Sequence, residues 1–217
     1  MPEPRPVALP PAERTVGQLV GETVRFYEDR FWAAIAIGVL PAVLAATTAH
    51  VARGPALVLA PTAFAAVLSA TFVLAAVIVL ERRPPNARLA VAWLTGWLVI
   101  APVPFLVFAF VLPGVAWLAA LGLVIPVLVN EDLGPGAALA RAWQLARADF
   151  LHAFGSLLAL GALVFLTQAV LAFVLRGFGG VGVSIAFFLA SIVVSPLLFV
   201  GMALLYGDQA ARVKPVL

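Results

Sequence analysis

Five stretches of this chain contain no Asp, Glu, Lys or Arg: residues 31–52, 54–80, 89–130, 150–175 and 177–207. Each exceeds the ~20 residues of helix that cross the hydrocarbon core of a bilayer. Of the 217 residues, 64% are hydrophobic and 11% charged, whereas an ordinary soluble domain is about 25% charged. A water-soluble globule is therefore excluded. The expected fold class is all-α, a polytopic transmembrane helix bundle, with residues 15–217 as one membrane domain.

The runs divide into six spans, about 32–50, 55–80, 88–112, 114–130, 150–175 and 183–206. The third run is 42 residues long, twice what one span needs, and Pro113-Gly114 near its middle supplies the break. A short turn at Arg53-Gly54 separates the first two spans, and the glycine-rich 177–182 separates the last two. Residues 1–14 are proline-rich and polar, which predicts an extended or disordered tail. No cleaved secretory signal is expected, because this segment lacks an apolar core.

Two further segments have helical periodicity with a polar face. At 15–31, Val16, Leu19, Val20, Thr23, Tyr27 and Phe31 share one stripe, while Gln18, Glu22, Arg25 and Asp29 share the other. Thr15 and Gln18 have the spacing of a capping box. At 135–150, Leu139, Ala142, Trp143, Ala146 and Phe150 stand opposite Arg141 and Gln144, and Pro135 suits a helix start. Both are expected as interfacial amphipathic helices. The order amphipathic helix, long span, short turn, long span thus occurs twice, at 15–80 and 135–206. Duplication and independent origin are both compatible with it.

The cations orient the path. Arg5, Arg14, Arg25, Arg30, Arg82, Arg83, Arg88, Arg141, Arg147, Arg212 and Lys214 fall on one side of a six-span chain, and only Arg53 and Arg176 on the other. That asymmetry predicts a bacterial inner-membrane protein with both termini in the cytoplasm. It also accounts for the isoelectric point near 10.2 without nucleic acid as a partner: basic residues beside spans touch anionic lipid headgroups. Membrane lipids are the expected partners. A membrane-protein partner or homo-oligomer is left open.

Few residues offer chemistry. The chain has no cysteine, which excludes disulfides, thiolate zinc sites and thiol catalysis. His50 and His152 fall near opposite membrane faces in this topology and read as separate interfacial side chains. Gly177-Phe178-Gly179-Gly180-Val181-Gly182 matches the dinucleotide fingerprint but joins two spans, without the strand and helix that motif requires, and reads as a turn. Glu131 and Asp132 at the end of the fourth span could serve acid–base chemistry or pair with arginines. The charge-free runs that form the spans hold no Asp, Glu, Lys or Arg, which argues against a proton relay or ion exchanger. Among their neutral polar groups Gln168 is the costliest to expose to lipid, and it either bonds a neighbouring helix or lines a substrate path. Prolines 41, 61, 102, 104, 126 and 196 favour kinks. The pairs Ala34/Gly38, Ala65/Ser69, Ala66/Ala70 and Ala116/Ala120 mark close-packing faces.

Several of these segments resemble a bacterial family. Leu19 to Trp32, Leu112-Pro113-Gly114, Val129 and Glu131, Gly134, the helix Ala138 to Arg147 with its Arg141-Ala142-Trp143, Phe150, and Leu205-Tyr206-Gly207-Asp208 with Arg212 are similar to the glycerophosphoryl diester phosphodiesterase membrane-domain family and its stand-alone relatives. The resemblance runs through nearly the whole chain. Ala142 and Ala210 depart from it, standing where the family often has Ser and Arg. The phosphodiesterase activity belongs to a soluble barrel that some relatives append, so no catalytic residue, metal or cofactor carries over. What the resemblance implies is a polar cluster at the inner boundary: Glu131, Arg141, Arg147, Asp208 and Arg212. The function expected is a non-enzymatic structural, lipid-associated or accessory role. A small-molecule transporter or permease is the alternative, and a lipid-modifying enzyme a third.

Overall fold

The computed structural model describes residues 9–48 and 53–213. His50 lies outside them. Among the described residues the chain is helical, with no strand. The helices are α1 (Val16–Asp29), α2 (Phe31–Thr48), α3 (Arg53–Val79), α4 (Asn86–Ile100), α5 (Val103–Ala109), α6 (Val111–Leu121), α7 (Val124–Asn130), α8 (Pro135–Ala148), α9 (Phe150–Leu175), α10 (Gly179–Val193) and α11 (Pro196–Arg212). Four segments are long and apolar enough to cross a membrane: Asn86–Val107, Val111–Asn130, Phe150–Leu175 and Phe188–Arg212. Phe31–Leu44 and Ala63–Val79 are shorter apolar helices.

Proline determines where helices break. A proline has no N–H to donate to the carbonyl four residues back. Ile100, the last residue of α4, stands four before Pro104; Gly122, where α6 gives way to α7, stands four before Pro126; Ile192, at the end of α10, stands four before Pro196. The expected sixth span is therefore two helices, α10 and α11, with a break at Val194-Ser195. α10 also starts at Gly179, so only Arg176–Phe178 forms the turn expected over 177–182. That turn ends on Gly179 at φ 74°, a left-handed conformation that favours glycine.

The reversal between the third and fourth spans also differs from expectation. It falls at Phe110, which is extended at φ −156° and ψ 128°, not at Pro113-Gly114. Pro113 sits in the first turn of α6, where an amide has no intrahelical partner to lose. Gly114 serves packing: a Cβ there would lie 2.5 Å from Cγ2 of Val107 on α5. Gly38 does the same between α2 and α10, since its Cβ would meet the Ile192 carbonyl oxygen at 2.1 Å. The small-residue face of Ala34 and Gly38 is thus a backbone-to-backbone contact, placed at the carbonyl that Pro196 leaves free.

The interior centres on α7, whose residues 124–129 are all buried and which packs against α3, α4 and α8. Phe72 of α3 meets Phe199 of α11 edge to face, with ring centres 4.6 Å apart.

The amphipathic helices are part of the bundle. The capping box of α1 is complete: the Gln18 amide donates to Thr15 Oγ1 at 3.4 Å and the Thr15 amide donates to Gln18 Oε1 at 2.8 Å. Leu19 and Thr23 of its apolar stripe are fully buried, against α9 and α11. In α8 the buried stripe is Ala138, Ala142, Leu145 and Ala146, rotated from the expected one. Trp143 and Phe150 face outward instead, as does Leu151. The stripe expected to face the interface is thus divided: alanines and Leu145 pack inward where α8 meets α6 and α7, and the aromatics take the open side.

Candidate functional site

Helix geometry divides the expected five-residue cluster in two. Successive residues advance about 100° around a helix, so Tyr206 and Asp208 point to nearly opposite sides of α11, whereas Asp208 and Arg212 share one. Arg141 and Arg147, six residues apart, likewise diverge around α8.

The first group forms where α7 ends. Arg141 pairs with Glu131 at 3.3 Å and donates to Gln144 Oε1 at 2.9 Å. The Tyr206 hydroxyl donates to Glu131 Oε1 at 2.9 Å and accepts from Asn130 Nδ2 at 2.9 Å. Three elements are thereby joined: the C-terminus of α7, the middle of α8 and the last turns of α11. Beside them, Asp132 takes the guanidinium groups of Arg88 and Arg82, and Arg82 also donates to the Asn130 carbonyl. Arg30 pairs with Glu81.

The second group sits on the other side of α11. Asp208 is fully buried and accepts from Arg14 Nη1 at 3.0 Å. Its second oxygen lies 3.7 Å from His152 Nε2, longer than a hydrogen bond. Arg212 reaches the same N-terminal segment, donating to the carbonyls of Ala12 at 3.0 Å and Arg14 at 2.8 Å, and pairs with Asp149 at 3.7 Å. Asp149 caps α9 by accepting from the His152 amide at 2.9 Å. Gln209, also fully buried, donates to the Asp149 carbonyl at 3.0 Å. The Ser156 hydroxyl, one helical turn beyond His152, is buried and has no hydrogen-bond partner among the described residues.

Several expectations change here. Pro11–Glu13, assigned to a tail, is a 3-10 turn docked on α11, and Arg14 beyond it supplies the partner of the most buried carboxylate. His152 is 7% exposed, a core residue facing Asp208 and not an interfacial one. Arg212 pairs with Asp149 and not with Asp208. Arg147 joins neither group; its guanidinium lies over the Trp143 ring at 5.9 Å on the exposed face of α8. The residues missed were Arg14, Asn130, Asp149, His152, Tyr206 and Gln209. Tyr206 and Asp208 did share a motif in the sequence, but nothing local paired either with residues 75 to 194 positions away.

These pairs link the residues before α1, the α1–α2, α3–α4 and α7–α8 junctions, the start of α9 and the end of α11. All therefore lie at one end of the bundle.

Gln168 is far from both groups. It is half-buried, makes no side-chain hydrogen bond among the described residues, and lines a cavity of about 410 Å³. Ser191 and Ser195 are the other polar residues around it, and the remaining walls are apolar. Among the described residues no three His, Cys, Asp or Glu side chains are grouped to hold a metal ion. Comparison with known proteins finds no matching family model, no similar curated protein and no similar solved structure.

Proposed function

We propose that this chain is a six-span bacterial inner-membrane protein, with both termini in the cytoplasm and a non-enzymatic, lipid-associated structural role, akin to the membrane domains of the glycerophosphoryl diester phosphodiesterase family. The observation that carries the reading is how the boundary carboxylates are used. Glu131, Asp132, Asp149 and Asp208 each face a guanidinium within 4 Å or less, so these groups brace helix ends. At the charged end two arginines face outward with no ion pair among the described residues: Arg83, and Arg147, whose guanidinium lies over the Trp143 ring. An exposed cation beside an aromatic side chain suits the zone where headgroups meet acyl chains.

The test is thermal stability in vesicles. Phosphatidylglycerol should raise the melting temperature above that in phosphatidylcholine, and an Arg83→Ala, Arg147→Ala double variant should lose most of that increment. Equal stability in the two lipids would contradict the reading. The permease alternative draws on the cavity beside Gln168 among proline-broken helices. Saturable solute flux into the same vesicles would favour it over a structural role.

A further inference from the structure

The cavity beside Gln168 has three properties that belong together. First, its volume of about 410 Å³ falls within the range that ligand pockets occupy, roughly 300–1,000 Å³. Second, its walls are apolar, from Leu68 and Phe72 on α3, Ile100 on α4, Val103 on α5 and Phe199 on α11, while its few polar groups converge. Ser191 is 6% exposed and, like Gln168, makes no side-chain hydrogen bond among the described residues. Buried polar groups ordinarily find partners, so the amide and hydroxyl are donors available to whatever enters. Third, the rim is apolar and open: Phe64 and Val107, which also line the cavity, are each 40% exposed. In a spanning bundle that opening faces acyl chains, not water.

Depth narrows the occupant. Gln168 lies 18 residues into α9, about 27 Å from the charged end at 1.5 Å per residue. Phe64 lies about 22 Å along α3 from its end at Val79 on the same scale. Across a hydrocarbon core of about 30 Å, these residues stand in the leaflet opposite the charged end, with Gln168 near its outer limit. That is the depth at which a phospholipid's ester carbonyls accept hydrogen bonds while its chains run inward. No charged side chain lines the cavity, so the recognised portion is neutral.

We propose that this cavity binds the acyl chain of a phospholipid from the leaflet opposite the charged end, admitted sideways between Phe64 and Val107, with the ester carbonyl held by Gln168 and Ser191. The proposal rests on the lipid-associated spanning reading and gives it a specific site. The full chain, reconstituted in phosphatidylcholine vesicles doped with a phosphatidylcholine carrying a photoactivatable diazirine on one acyl chain, provides the test. Illumination should give adducts at Leu68, Phe72 and Phe199 that exceed those at the plainly lipid-facing Leu98 and Phe165. Val107→Trp, which adds bulk at the 40%-exposed rim, should reduce the cavity adducts several-fold and leave Leu98 and Phe165 unchanged. Gln168→Leu, which removes one hydrogen bond, should give about a fivefold loss at the cavity alone. Cavity labelling no stronger than at Leu98 and Phe165, or indifferent to Val107→Trp, would overturn the proposal while sparing the spanning reading. Labelling absent at Leu98 and Phe165 as well would contradict the spanning reading, and the proposal with it.

Discussion

Arg14 and Asp208 are 194 positions apart in sequence and meet at 3.0 Å. Asp208 has no exposed surface, and its partner is only 16% exposed. Removing one member of a buried pair leaves the other charge desolvated and uncompensated, a loss of roughly 3–5 kcal/mol. Arg14→Ala should therefore lower the melting temperature sharply in detergent, and adding Asp208→Asn should restore part of it by removing the stranded charge. The Ser156 hydroxyl is the counter-case. It is buried with no partner among the described residues, so Ser156→Ala deletes a desolvation cost without breaking a bond and should be neutral or slightly stabilising. The Glu131–Arg141 pair is partly exposed, at 25% and 23%. Its coupling in a double-mutant cycle should be about 1 kcal/mol or less. Strictly additive single losses would show that the pair does not brace α8. Glu131 and Arg141 were expected in one cluster and do pair, whereas Arg14 as the partner of Asp208 was not legible locally. Glu131, Arg141, Asp208 and Arg212 stood out as polar residues beside apolar runs, but which faced which depended on the turn of α8 and α11.

At the scale of elements, what could be read from the sequence were features set within a few residues. Thr15 and Gln18 form their capping box because both groups lie within one turn; Thr15→Ala should cost about 1 kcal/mol. The prolines marked real breaks, yet the sequence alone could not separate those that end a helix, such as Pro196, from Pro41, which lies inside α2. The reversal at Phe110 was missed because Pro113-Gly114 has the composition of a turn, whereas its glycine is used for close approach to α5. Gly38 gives the sharpest test of helix packing. A methyl group there would sit 2.1 Å from the Ile192 carbonyl oxygen, while at Gly21 it would meet nothing within 4 Å. Gly38→Ala should be strongly destabilising through separation of α2 from α10. Gly21→Ala, on an open helix surface, should stabilise by roughly 0.5–1 kcal/mol. Both shifts can be read from the same thermal melts.

For the whole molecule, the ion pairs tie six separate chain segments to one end of the bundle. Arg14, Arg30, Arg82, Arg88, Arg141 and Arg212, which the expected six-span path sets on one side, all take part in these pairs. What the charge pattern could not supply was the cavity, because it is walled by side chains from helices that are distant in sequence and nearly uniform in composition. Nor could it foresee that residues 11–14 would be folded onto α11.

The absence of cysteine makes sidedness directly measurable. Gly17 and Gly134 lie at the charged end and Gly180 at the start of α10, all exposed and with open space at the Cβ position. Single cysteines at these sites, probed in intact spheroplasts with a membrane-impermeant maleimide, test the central claim that the charged end is one cytoplasmic face of a six-span bundle. Gly17→Cys and Gly134→Cys should label only after permeabilisation, and Gly180→Cys before it. Labelling of Gly17→Cys and Gly134→Cys from opposite sides, or of both from outside, would contradict the account.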